Sequence, residues 1–282
     1  MPKKLRFLIT DGYPEPSREK FNDVGMRLAW ELYRDMLGDY VPDAEVDVWF
    51  ASDAPSDAPA ELASYDGLLW PGCSLTVFDV EKESVTSQHD LVRRAYEEGI
   101  PQFGTCWGIQ IAVYVAGGTV RPHPRGREMG IGRKMRLTEA GRNHPMFRGK
   151  PLVYSHFVSH DDEVTELPPG ATLLAGNDFS RVQAVEVKYE RGVFWGIQYH
   201  PEYDLHEMAR LIVAREERLV KQGLFRDHDD LVQYVDRLEA LAADPERKDL
   251  RWQLGIDDDI LRDDIRQCEF VNWLRDQVEV EV

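Results

Sequence analysis

Residues 100–118 read IPQFGTCWGIQIAVYVAGG. Residues 100–104 predict a short strand, and residues 109–116 an apolar helix closed by Gly117 and Gly118. Between them, Gly104-Thr105-Cys106-Trp107-Gly108 has the G-x-C-x-G spacing of a nucleophile elbow. A sharp strand-to-helix turn holds its central residue in a strained conformation and leaves no room for side chains on either flank, hence the two glycines. The Cys106 sulfur then stands above the sheet edge at a helix N-terminus, whose partial positive charge favours thiolate. The N–H of Trp107 is placed for a developing oxyanion. The plainer reading makes Cys106 a small buried hydrophobe. The strand–turn–helix context favours the nucleophile.

Working outward, residues 5–10 (LRFLIT), 45–51 (EVDVWFA) and 65–70 (YDGLLW) read as buried strands. Residues 24–37 and 84–98 carry apolar side chains at helical spacing, the first ending at Gly38. Strands alternating with helices imply parallel βαβ units: an α/β, three-layer fold, its central sheet mostly parallel with helices on both faces. Past residue 120 the pattern changes. Residues 129–137, 152–158, 172–176 and 182–189 predict short, partly alternating strands, a small mixed β section, and residues 193–199 (VFWGIQY) a more buried one. Helical patterns follow at 205–222, 231–243 and 250–277.

The 282 residues carry a formal charge of −17, from 51 acidic and 34 basic side chains. Such a balance argues against nucleic acid or an anionic membrane as partner. Residues 204–282 alone hold 21 Asp and Glu against 12 Lys and Arg, which suggests an appendage with its own surface. The division expected is therefore 1–204 as the catalytic domain and 205–282 as an acidic, mainly helical C-terminal extension. That extension packs on the domain or forms an oligomer interface. Cys73, Cys106 and Cys268 contain no CxxC pair, so neither a disulfide framework nor a structural zinc site is expected. The N-terminus lacks a signal-peptide core, and no run approaches the ~18 apolar residues of a membrane span. A reduced, cytoplasmic setting is the expectation.

A cysteine nucleophile needs a base and an orienting group. His200 follows the apolar strand FWGIQY, and Glu202 stands two residues on. At this point the sequence resembles the class I, or triad-type, glutamine amidotransferases. IPQFGTCWGIQIAVYVAGGTV is similar to that family's elbow, FWGIQYHPE to its His-x-Glu segment, and SHDDEVTELPPGATLLAG (159–176) to its S-H-x-D segment. LLWPGCSLTVFD (68–79) resembles its oxyanion loop, and Gln183-Ala184 a frequent pair. The likeness runs from about residue 5 to about residue 203.

The resemblance implies a flavodoxin-like fold and a γ-glutamyl thioester on Cys106, with His200 as base and Glu202 as its orienter. It implies an oxyanion hole from Trp107 and the Gly72–Cys73 loop, and substrate contacts from Gln110, Ser159, His160 and Asp161. The loop here reads Pro71-Gly72-Cys73-Ser74 where the family has G-G-P or G-S-P, which leaves open the amide that completes the hole. Cys73 is read as structural, His160 as structural or close to substrate, and His123, His144 and His156 as surface or satisfied side chains. Asp257 to Asp259 is read as a solvated loop or helix cap. No cofactor and no metal is implied. Three functions follow: a free-standing hydrolase of glutamine or another γ-glutamyl amide, a glutaminase subunit that feeds ammonia to a separate synthetase partner, and a non-catalytic regulatory protein on the same fold. Self-association into a homo-oligomer is open.

Overall fold

The computed structural model describes residues 4–281. The strands are β1 (Arg6–Asp11), β2 (Glu45–Phe50), β3 (Gly67–Trp70), β4 (Gln102–Thr105), β5 (Thr119–Pro122), β6 (Glu128–Leu137), β7 (Val153–His160), β8 (Asp162–Glu166), β9 (Ala171–Gly176), β10 (Ala184–Tyr189) and β11 (Gly192–Ile197). Nine of them form one sheet in the order β2-β1-β3-β4-β11-β10-β9-β6-β7. From β2 to β11 every neighbouring pair is parallel. From β11 to β7 the pairs are antiparallel, so the mixed β section extends the central sheet. The remaining two, β5 and β8, form a separate antiparallel ribbon that the sequence pattern did not mark.

The strands of the parallel half are apolar runs because both faces are covered. Phe7 and Ile9 of β1 and Leu69 of β3 join one core cluster, with the helices Ala29–Tyr40 and Cys268–Gln277. Leu8, Leu68 and Trp70 point the other way, into a second cluster with the helices Glu83–Glu98 and Trp107–Val115. A third cluster joins Tyr13 and Phe157 to residues of the helices Leu205–Ala214 and His228–Ala243.

Three helices differ from expectation. The first begins later, at Ala29, after a separate helix Glu15–Asp23 and a turn at Gly25 (φ 76°). It also runs through Gly38 to Tyr40, whose ring meets Phe270 at 6.4 Å and whose hydroxyl donates to Gln267. That packing outweighs the roughly 1 kcal/mol a mid-helix glycine costs. The stretch 205–222 breaks at Arg215 (φ −112°) into Leu205–Ala214 and Glu216–Lys221. The tail is four short helices, the first closed by Gly255 at φ 60°.

Because β1, β3, β4 and β11 are parallel, their carboxyl ends lie along one sheet edge. In open α/β sheets this edge is where ligands bind. The segments that leave it carry Gly12, Gly72, Cys106 and His200.

Candidate active site

Cys106 has φ 51° and ψ −93°, a conformation L-residues seldom adopt, and the helix starts at the next residue. Its N–H donates to Ile197 O of β11 at 2.8 Å, which fixes the turn to the neighbouring strand. The glycine requirement is steric. A Cβ on Gly104 would lie 2.7 Å from Gly108 Cα, and one on Gly108 would lie 2.7 Å from Trp70 O. The thiol is buried, with Sγ 3.6 Å from Ser159 O.

β11 ends just before His200, whose N–H donates to Phe157 O at 2.9 Å. The imidazole stacks on Tyr203 with centroids 4.3 Å apart and 5° between planes. Its Nδ1 lies 2.7 Å from Glu202 Oε1. The same oxygen accepts from Thr105 Oγ1 at 3.2 Å, and Tyr33 hydroxyl donates to Thr105 at 2.9 Å. The carboxylate is thus fixed from two sides, and Nδ1 carries the proton. That leaves Nε2 buried, without a conventional partner among the described residues, and the imidazole in contact with the Cys106 thiol. Burial disfavours the imidazolium, but Glu202 and the Cys106 contact outweigh it and hold His200 up at about 9.

Gly72 borders both groups. A Cβ there would lie 2.8 Å from His200 Cε1 and 3.3 Å from Cys106 Cβ. Cys73 turns its sulfur toward Gly12, where a Cβ would lie 2.9 Å from Sγ, and burial pushes the thiol well up. The Trp107 N–H is in the first helical turn, whose amides have no intrahelical acceptor. Its indole is anchored by Nε1 donating to Gln88 Oε1 at 2.8 Å.

A cleft of about 340 Å³ opens beside Cys106, with Cys73, Gln110, Ser159, His160 and Asp161 in its wall. Gln110 Nε2 donates to Asp162 O at 3.2 Å and Gln198 Oε1 at 3.3 Å. Both ring nitrogens of His160 are engaged, by Glu128 and Asp162 O, each at 2.9 Å. Its imidazole therefore braces the wall. The cleft also contains Arg127, Arg215 and Arg218, which no motif had singled out. Arg127 and Arg218 both donate to Asp161, and Arg127 and Arg215 both donate to Ser159 Oγ.

The other histidines lie apart from this group. His123 stacks on Phe179 at 4.1 Å, His144 pairs with Glu186 at 3.1 Å, and His156 is fully buried against Arg266 O at 2.9 Å. Asp257 caps the helix Asp258–Leu261.

The family model described as glutamine amidotransferase class-I matches residues 42–217. The chain is 31% identical to a gamma-glutamyl-L-1-hydroxyisopropylamide hydrolase of Pseudomonas sp, over 96% of this chain and 92% of that protein. It is 27% identical to a glutamine-hydrolyzing GMP synthase of Thermomicrobium roseum, over 70% of this chain but only 34% of that longer protein. A glutamine amidotransferase crystal structure from Thermotoga maritima superposes with a TM-score of 0.66 at 20% identity, covering 99% of this chain and 100% of that one. With an elbow, a strand-end histidine and a sheet order that fit, and a family model spanning more than half its length, the chain belongs to the class-I glutamine amidotransferase family.

Proposed function

We propose that the protein is a free-standing γ-glutamyl amide hydrolase that works through a γ-glutamyl thioester on Cys106. The observation that carries this reading is the strained Cys106 in contact with an imidazole whose other nitrogen is held 2.7 Å from Glu202. Similarity to the Pseudomonas hydrolase over nearly both whole chains supports the substrate class.

Cys106 Sγ attacks the γ-amide carbon while the thiol proton passes to His200 Nε2. The oxyanion is met by the N–H of Trp107 and one from the Gly72–Cys73 loop. The C–N bond breaks, and His200 returns the proton to the leaving amine. Water then attacks the thioester, giving a proton to His200. The C–S bond breaks, glutamate leaves and the thiol regains its proton. Glu202 holds the imidazole in the tautomer that each transfer needs. Every step uses a reduced thiol, in keeping with a cytoplasmic setting.

The test is glutamate release from a panel of γ-glutamyl amides, glutamine included, by the purified protein. Turnover of amides larger than glutamine without a second protein is expected, with a γ-glutamyl adduct on Cys106 seen by mass spectrometry. Cys106→Ser should lower turnover by about 10³-fold or more. The likeness to GMP synthase keeps a second reading, a glutaminase subunit serving a synthetase. Glutamine hydrolysis that is negligible until a second protein is added would favour it. Absence of any Cys106-dependent turnover, with or without a partner, would leave the non-catalytic regulatory reading.

A further inference from the structure

We infer that Arg127 and Arg215 form an anion subsite that takes the free α-carboxylate of the γ-glutamyl group, so that the enzyme demands an α-anionic donor. This rests on the hydrolase reading above. Arg127, just before β6, donates from Nη1 to Ser159 Oγ at 3.1 Å. Arg215, at the break after the helix Leu205–Ala214, donates to the same hydroxyl and from Nη2 to Tyr13 hydroxyl at 3.2 Å. Two guanidiniums therefore converge on one neutral oxygen, where like charges repel unless an anion joins them. The Arg127 side chain is 4% exposed, and its Nε has no partner among the described residues.

The remaining charges do not close the balance. Arg218 shares Asp161 with Arg127, and Asp162 is the only other carboxylate in the cleft wall among the described residues. Three cations face two acids, and burial raises the Asp162 carboxyl toward its neutral form. Burial and the neighbouring Arg215 push Arg127 down to about 10.

The reach fits as well. Ser159 presents its carbonyl 3.6 Å from Cys106 Sγ and its hydroxyl to both guanidiniums. The cationic pair is thus one residue away from the attacking atom. In a γ-glutamyl group four single bonds separate the reacting carbon from the α-carboxylate carbon, about 5 Å when extended. A planar fork suits a carboxylate better than a lysine would.

A carboxylate on the leaving amine is the other source of the same chemistry, and substrates separate the two. Wild type should hydrolyse γ-L-glutamyl-p-nitroanilide about 100-fold faster, in kcat/KM, than its α-methyl ester. Arg215→Gln should lower kcat/KM for the free acid by about 100-fold, mainly through KM, and leave the ester unchanged. Arg215→Lys, which keeps the charge, should fall between. An equal loss on both substrates, or a loss confined to γ-glutamylglycine, overturns the inference. A readout independent of hydrolysis is alkylation of Cys106, followed on its own peptide by mass spectrometry. The ratio of rates for a glutamate γ-chloromethyl ketone as the free α-acid and as its α-methyl ester should fall about tenfold in Arg215→Gln. An unchanged ratio overturns the subsite even if no γ-glutamyl amide is ever cleaved. A changed ratio without cleavage places the error in the hydrolase reading.

Discussion

Glu202 Oε1 accepts from both His200 and Thr105, so one atom sets the direction of the imidazole. Replacing it by glutamine removes the charge that opposes burial. Glu202→Gln should lower kcat by about 10²-fold or more. The pH at which the rate rises as His200 gives up its proton should also move down from about 9, because the imidazolium loses its main support. Stability should follow the same group. A histidine whose folded proton affinity is raised stabilises fully below its ordinary 6.5 and loses that contribution as pH rises through about 9. Denaturation midpoints should therefore fall between pH 7 and 9 in wild type and fall less in Glu202→Gln. At this scale the sequence was informative where the chemistry is local. Cys106 and Trp107 share one turn, and His200 and Glu202 are two residues apart. It was silent where contacts are distant: Tyr33 reaches Thr105 from another helix, and Arg215 lies 56 residues from the Ser159 it meets.

The elbow as an element depends on two helical and strand backbones nearly touching. Trp70 O of β3 lies 2.7 Å from where a Cβ on Gly108 would stand, and a carbonyl oxygen is not a flexible side-chain tip. Gly108→Ala should cost about 1–3 kcal/mol or more, read as a fall in Tm of several degrees. It should also slow turnover in the folded fraction, since the helix start that places the Trp107 amide must move. The element was legible because its glycines have no alternative use: strand, turn and helix all appear within 17 residues. Elements stabilised from afar were not. The helix through Gly38 persists because Tyr40 packs on Phe270, and the helix pattern over 205–222 breaks where Arg215 turns into the cleft. Local propensity carries neither fact.

Over the whole molecule, the acidic stretch after residue 204 supplies part of the central core. The Trp273 ring lies 6.3 Å from Phe7, 5.8 Å from Phe103 and 6.0 Å from Phe270, and a Cβ on Gly67 would touch its edge at 2.6 Å. The domain division proposed at residue 204 thus follows charge and motif coverage, while the sheet face that carries Phe7 is covered partly by the tail. Charge enters that core in a pair 3.0 Å apart: Lys150 and Glu269, both side chains fully buried. Lys150 Nζ also donates to Ile265 O, Tyr199 hydroxyl donates to Glu269 at 2.6 Å, and Arg266 Nε donates to Pro201 O at 3.4 Å. The tail therefore grips the residues on either side of His200. Glu269→Leu leaves an ammonium buried without its counter-ion and should cost about 3–5 kcal/mol in chemical denaturation. Lys150→Met alone should cost a similar amount. The double variant Lys150→Met with Glu269→Leu removes both charges and should recover most of that loss, because desolvation no longer opposes folding. If the double variant instead lost the sum of the two single costs, Lys150 and Glu269 would be acting independently of each other, and the tail would be held by their separate hydrogen bonds to Ile265 O and Tyr199 hydroxyl. Recovery would mean that Trp273 and Phe270 hold it, with Lys150 and Glu269 fixing where it lands beside His200.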